Sequence, residues 1–162
     1  MFAWKDKSIV NLIVEKSKYV TWYTYLDEVF SRVPEFRHYH WLISDLELNY
    51  CPDPRLQEDP VIIDGESLNE ILKTHKVQFI WAVLSGFKEK IDALPTKLPY
   101  ADGNRELLIG CPKPQALGSE VEIVCWDSTC TLFIGVDNSI AKKLRDIYPD
   151  IRDLDVENRT RS

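Results

Sequence analysis

Residues 119–136 read SEVEIVCWDSTCTLFIGV. Two runs rich in β-branched and aromatic residues flank Asp127-Ser128, a pair suited to a tight turn. The pattern predicts a β-hairpin of Ser119–Trp126 and Thr129–Val136. Glu120 and Glu122 would face solvent, opposite Val121 and Ile123. The best-defined pair of strands is thus joined by a turn and not by a crossover helix, which points to an antiparallel or mixed sheet.

Working outward, Asp137 or Asn138 caps a last helix, Ser139–Tyr148, stopped by Pro149. Its buried stripe is Ile140, Leu144 and Ile147. The tail after Ile151 is polar and charged. Upstream, Lys76–Phe87 is the most apolar stretch and reads as a central strand. Lys88–Leu94 reads as a helical turn. From Pro95 to Gly118 prolines and glycines crowd an irregular region, broken by a strand of about five residues around Glu106–Ile109.

Nearer the start, Ser8–Glu15 is a strand. Lys18–Val33 places Tyr19, Trp22, Leu26, Val29, Phe30 and Val33 at helical steps and ends at Pro34. Tyr39–Leu48 is a strand on which Asp45 and Glu47 share one face. Asn49–Pro60 is a surface loop and Val61–Ile63 a short strand. Asp64-Gly65 turns the chain into a helix, Leu68–His75, capped by Ser67, with Leu68, Ile71 and Leu72 inward. The whole predicts one α+β domain over residues 1–162: an antiparallel or mixed sheet with about three helices packed on one face.

Composition narrows the function. Of 162 residues, 44% are hydrophobic and 28% charged, a globular balance with no sign of dominant disorder. The net charge of −6 disfavours a nucleic-acid or anionic-membrane binder, which needs a basic face. MFAWKDKSIV lacks the basic-then-apolar pattern of a secretory signal, and apolar runs such as Phe79–Leu84 fall short of the ~20 residues that cross a bilayer. Cys51, Cys111, Cys125 and Cys130 form no CxxC pair and read as reduced thiols of a cytosolic protein.

The acids are concentrated. Between Ser44 and Glu66 stand Asp45, Glu47, Asp53, Glu58, Asp59, Asp64 and Glu66, against the single base Arg55. Seven acids less one base equals the net charge of the whole chain. Three readings fit: a solvated loop that aids solubility, a docking surface that steers a basic partner, or a divalent-cation site. The spacing does not match an EF-hand loop, which leaves the cation site weakest. Tyr50, with Tyr39 and Trp41, lies beside these acids, and Tyr or Trp next to carboxylates suits the anchor of a protein interface. Most other aromatics, including Trp22, Tyr23 and Tyr25 on the first helix, belong to the core.

Catalytic signals are few. His38 and His40 would point to one face of a strand, yet two ligands do not make a metal site. Cys125 or Cys130 as nucleophile would flank a turn beside Asp127, which raises a thiol pKa. Ser128 lacks a G-x-S-x-G elbow, and six scattered glycines form no phosphate loop. Neither a catalytic residue, a cofactor nor a metal ligand is assigned.

Residues 120–154, EVEIVCWDSTCTLFIGVDNSIAKKLRDIYPDIRDL, with the strand Trp41–Leu48 (WLISDLEL), resemble small bacterial immunity proteins of polymorphic-toxin and contact-dependent inhibition systems. The resemblance implies a cytosolic, non-enzymatic protein that covers the active surface of a cognate toxin. A nuclease toxin would present a basic groove that an acidic protein fills. The expected contact residues are Asp45, Glu47, Tyr50, Asp53, Glu58, Asp59, Asp64 and Glu66. The chain is expected to be a monomer or a weak homodimer, with Phe79–Leu84 a strand that self-pairs if it lies at an edge. The rival reading is a small cytosolic ligand- or metal-binding domain, or an adaptor.

Overall fold

A computed structural model describes residues 8–161, so the leader reading of MFAWKDKSIV falls, for its first seven residues, outside the described residues. The chain forms one α+β domain built on a seven-stranded, wholly antiparallel sheet. The strands are β1 (Ile9–Glu15), β2 (His40–Leu48), β3 (Val61–Asp64), β4 (Phe79–Phe87), β5 (Val121–Trp126), β6 (Cys130–Asp137) and β7 (Arg152–Asp153). The helices are α1 (Asp27–Arg32), α2 (Pro34–His38), α3 (Gly65–Thr74), α4 (Asn138–Ile147) and α5 (Leu154–Arg161). Across the sheet the order is β3-β2-β4-β5-β6-β1-β7. No helix among the described residues is long and apolar enough to cross a membrane.

The hairpin forms as its sequence requires. Asp127 and Ser128 both adopt positive φ, 49° and 54°, and the Thr129 N–H donates to the Trp126 carbonyl at 2.9 Å. Those angles match the right-handed twist of the strands they join. Strand β4 lies between β2 and β5 and is no edge, with Val83 and Leu84 paired on both sides. The true edges, β3 and β7, are only four and two residues long, which leaves little template for self-pairing.

Alternation along the strands divides the core in two. One face carries Leu12, Val14, Trp41, Ile43, Leu84, Ile123, Cys125 and Phe133 under helices α1 to α4. There Phe30, Phe36 and Trp41 meet at ring distances of 5.4–5.9 Å, and the Trp41 indole N–H donates to the Phe36 carbonyl. Gly65 opens α3 where a Cβ would lie 2.5 Å from the Phe36 and Arg37 carbonyls, so only glycine lets α3 approach α2 this closely.

The second face carries Ile13, Val83, Val124, Leu132 and Ile134. It is covered by the long segment between β4 and β5 and by α5, through Ala101, Leu107 and Leu154. Helices therefore cover both faces, and the described residues form five of them. The tail after Ile151 is ordered as β7 and α5, because Leu154 and Asn158 are buried against this layer.

Four local expectations fail. Residues 18–26 are irregular and α1 starts only at Asp27, while Pro34 begins a second short helix at its first position, where a missing N–H costs nothing. Residues 88–94 form no helix, and Arg105–Leu108 is a 3-10 turn instead of a strand. Asp64, not Ser67, caps α3: its carboxylate accepts from the Ser67 N–H at 2.8 Å and the Ser67 hydroxyl at 2.7 Å.

Candidate partner-binding surface

The acidic stretch Asp45–Glu66 spans β2, the following loop, the edge strand β3 and the start of α3. Its carboxylates divide by what they hold. Asp45 sits at φ 52° in a bulge of β2, where the pairing with β4 shifts between Ser44 and Glu47. The bulge breaks the alternation that would have set Asp45 and Glu47 on one face. Consecutive residues then reach the same covering segment. The Ser44 hydroxyl donates to the Pro99 carbonyl, and Asp45 Oδ2 accepts from the Ala101 and Asp102 N–H groups at 2.9 Å.

Asp59 accepts from the Leu46 N–H at 3.0 Å. Asp53 caps the 3-10 turn Pro54–Leu56 and grips the Arg55 guanidinium at 3.0 Å, which lowers its pKa to about 2. Asp64 lies below the usual carboxylate range, chiefly because the Ser67 N–H bonds to it. Glu66 meets Arg37 only at 3.9 Å. Glu47, Tyr50 and Glu58 are exposed.

The stretch is thus not a floppy loop. Backbone amides hold Asp45, Asp59 and Asp64 with no ion pair to them among the described residues, so these three charges are fixed in place without being cancelled. Glu70, absent from the expected set, joins it. Glu66, Asn69, Glu70 and Lys73 line one groove on α3, where the buried Asn69 Oδ1 has no hydrogen-bond partner.

The other candidates separate. His38 ends α2, His40 begins β2 opposite Asp64, and His75 follows α3. Among the described residues no three His, Cys, Asp or Glu side chains are grouped to hold a metal. Cys125 and Cys130 are buried, and burial, not Asp127, pushes the Cys130 thiol up to about 12. Neither is poised as a thiolate.

Two corrections come from side chains that the periodicity misassigned, one on a strand and one on the expected first helix. Glu122 is wholly buried on the second face. Its carboxylate accepts from the Ser85 hydroxyl and the Gln115 N–H at 2.6 Å and from the Ala116 N–H at 3.1 Å. Trp22 is the reverse: expected in the core, it is 74% exposed. The run YVTWYTY at 19–25 holds weak helix formers, and that signal argued against a helix there.

A cleft of about 540 Å³ lies beside the start of β1 and the end of β6, between Tyr39, Pro112, Glu120, Asp137 and Asp155. The Tyr39 hydroxyl donates to Glu120 at 3.1 Å, Asp137 caps α4 and Asp155 accepts from Asn11. No histidine lines it among the described residues, and its Ser119 hydroxyl donates to the Ala116 carbonyl. Comparisons of the chain with protein-family models, with curated proteins and with solved structures gave no match in any of the three.

Proposed function

We propose that the protein is a binding protein that docks a basic partner on its acidic edge, acting as an immunity protein that occludes the active surface of a cognate toxin. The reading joins the likeness of residues 120–154 to immunity proteins with one structural observation. Asp45, Asp59 and Asp64 are fixed by backbone or hydroxyl donors while Glu47, Glu58, Glu66 and Glu70 stand at the surface around them. A field held rigid before binding steers a cationic partner and spares the cost of ordering the surface on contact. A nuclease is the toxin class whose surface such an edge would fit.

The test separates charge from fold. Reversing Asp45, Asp59 and Asp64 would remove structural bonds, so the informative variant is E47K/E58K/E66K. Wild-type protein immobilised and exposed to host extract should retain one basic protein in equimolar amount and release it across a salt gradient. The triple variant should retain none while unfolding at the same urea concentration. Equal retention by both proteins, indifferent to salt, would overturn the proposal.

A further inference from the structure

Residues 99–116, the middle of the segment between β4 and β5, cross the second face of the sheet as a strap. Among the described residues their main chain makes no hydrogen bond to the main chain of any strand. Side chains hold them instead. The Ser44 hydroxyl donates to the Pro99 carbonyl, and Asp45 accepts from the Ala101 and Asp102 N–H groups. The Asn11 amide donates to the Pro112 carbonyl at 2.8 Å, and that of Asn158 to the Leu107 and Gly110 carbonyls. The buried apolar side chains of the strap are Pro99, Ala101, Leu107 and Ala116, of which only Leu107 is large. A segment with no ladder bonds and so little buried apolar surface opens at a lower free energy than the sheet beneath it.

Glu122 differs from the other grips. Its Oε1 accepts from the Gln115 N–H, and its Oε2 from the Ala116 N–H and the Ser85 hydroxyl. Asp45 is partly exposed, whereas Glu122 has no surface in water. The groups that face it are Ser85 of β4, Ile134 opposite it on β6, and Gln115 and Ala116 of the strap, none of which titrates. The charged residues next along these elements are Lys88, Lys113, Glu120 and Asp137, and Lys88 pairs with Glu120 at 3.3 Å. No cation compensates Glu122, so its anion is disfavoured while the strap is closed. Burial accordingly holds its pKa above the ordinary 4.5. Two of its three donors belong to the strap, so lifting the strap brings water to the carboxyl. The closed form then binds the proton more tightly than the open form, opening releases it, and rising pH favours opening.

We infer that residues 99–116 open as a unit while the sheet stays folded, and that loss of the Glu122 proton drives the opening. The strap is a pH-sensitive closure on the second face, shut in acid and loosened as pH rises from about 5.

The test is amide hydrogen exchange of the ¹⁵N-labelled full chain from pH 5 to 8, each rate divided by its unfolded-chain value. The amides of Ala101, Asp102, Gln115 and Ala116 report the strap, and those of the β5–β6 ladder report the sheet. The strap amides should share one protection factor, at least about tenfold below that of the ladder. It should fall with pH by up to about tenfold per unit, the slope for one proton released. In E122Q it should be flat. Where E122Q does not fold, Ser85→Ala serves: with one donor to the carboxylate gone, the fall should extend to higher pH. Strap amides as protected as the ladder would show that no separate opening exists. A wild-type profile without slope, the same slope in E122Q, or an unchanged profile in S85A would remove Glu122 as its driver. Each of these results overturns the inference.

Discussion

Glu122 is a fully buried carboxylate with three hydrogen-bond donors and no cation. Burial raises its pKa, and the donors only partly offset that. The folded protein therefore keeps this proton to higher pH than the unfolded chain does. Across the window that opens at the ordinary value of 4.5, stability falls as pH rises. Glu122→Gln should remove that decline, seen as a flatter dependence of Tm on pH from about 5 upward in thermal scans. Asp64 has the opposite sign. Its lowered pKa adds stability above its ordinary 3.8 that is lost as pH falls through the lower folded value. Asp64→Ala removes the α3 cap and should cost about 1 kcal/mol in urea unfolding at pH 7.

At the scale of elements, α5 closes the second face by pinning the segment between β4 and β5. Asn158 donates to the Leu107 and Gly110 carbonyls, and Leu154 is buried against the sheet. Leu154→Ala should cost about 2–5 kcal/mol. Asn158→Ala should cost about 1–3 kcal/mol, with faster proteolytic cleavage of residues 104–118 as the readout. The hairpin, the central strand and α4 were legible because their signals are local: period-two or helical spacing, a turn pair, an Asp cap. Trp22 and Glu122 were not, because each is placed by distant partners. Asp150 and Gln78 decide the path of residues 17–24, and Gln115 and Ala116 of the covering segment, seven and six residues before Glu122, decide that Glu122 is inside. The acidic stretch was legible as charge. Which carboxylates carry structure and which stand free depended on the bulge at Asp45 and the caps at Asp53 and Asp64.

For the whole molecule, a net charge of −6 rests largely on one edge. The E47K/E58K/E66K variant would be neutral, since each reversal adds two positive charges. Its stability should stay within about 0.5 kcal/mol of the wild type, because these side chains carry no structural hydrogen bond. Its solubility at pH 7 should fall, measured as the protein concentration tolerated before precipitation. The second layer has a further consequence. Ser44, Asp45, Ser85 and Glu122 form its polar contact with the sheet and grip the covering segment largely through main-chain groups. Many of that segment's own side chains, such as the 94% exposed Leu117, are left without duties. Descendants of this chain can then rewrite residues such as Arg105 and Leu117 freely while Asp45 and Glu122 stay constant. Ancestry would be traced in two strands and lost in the segment they carry.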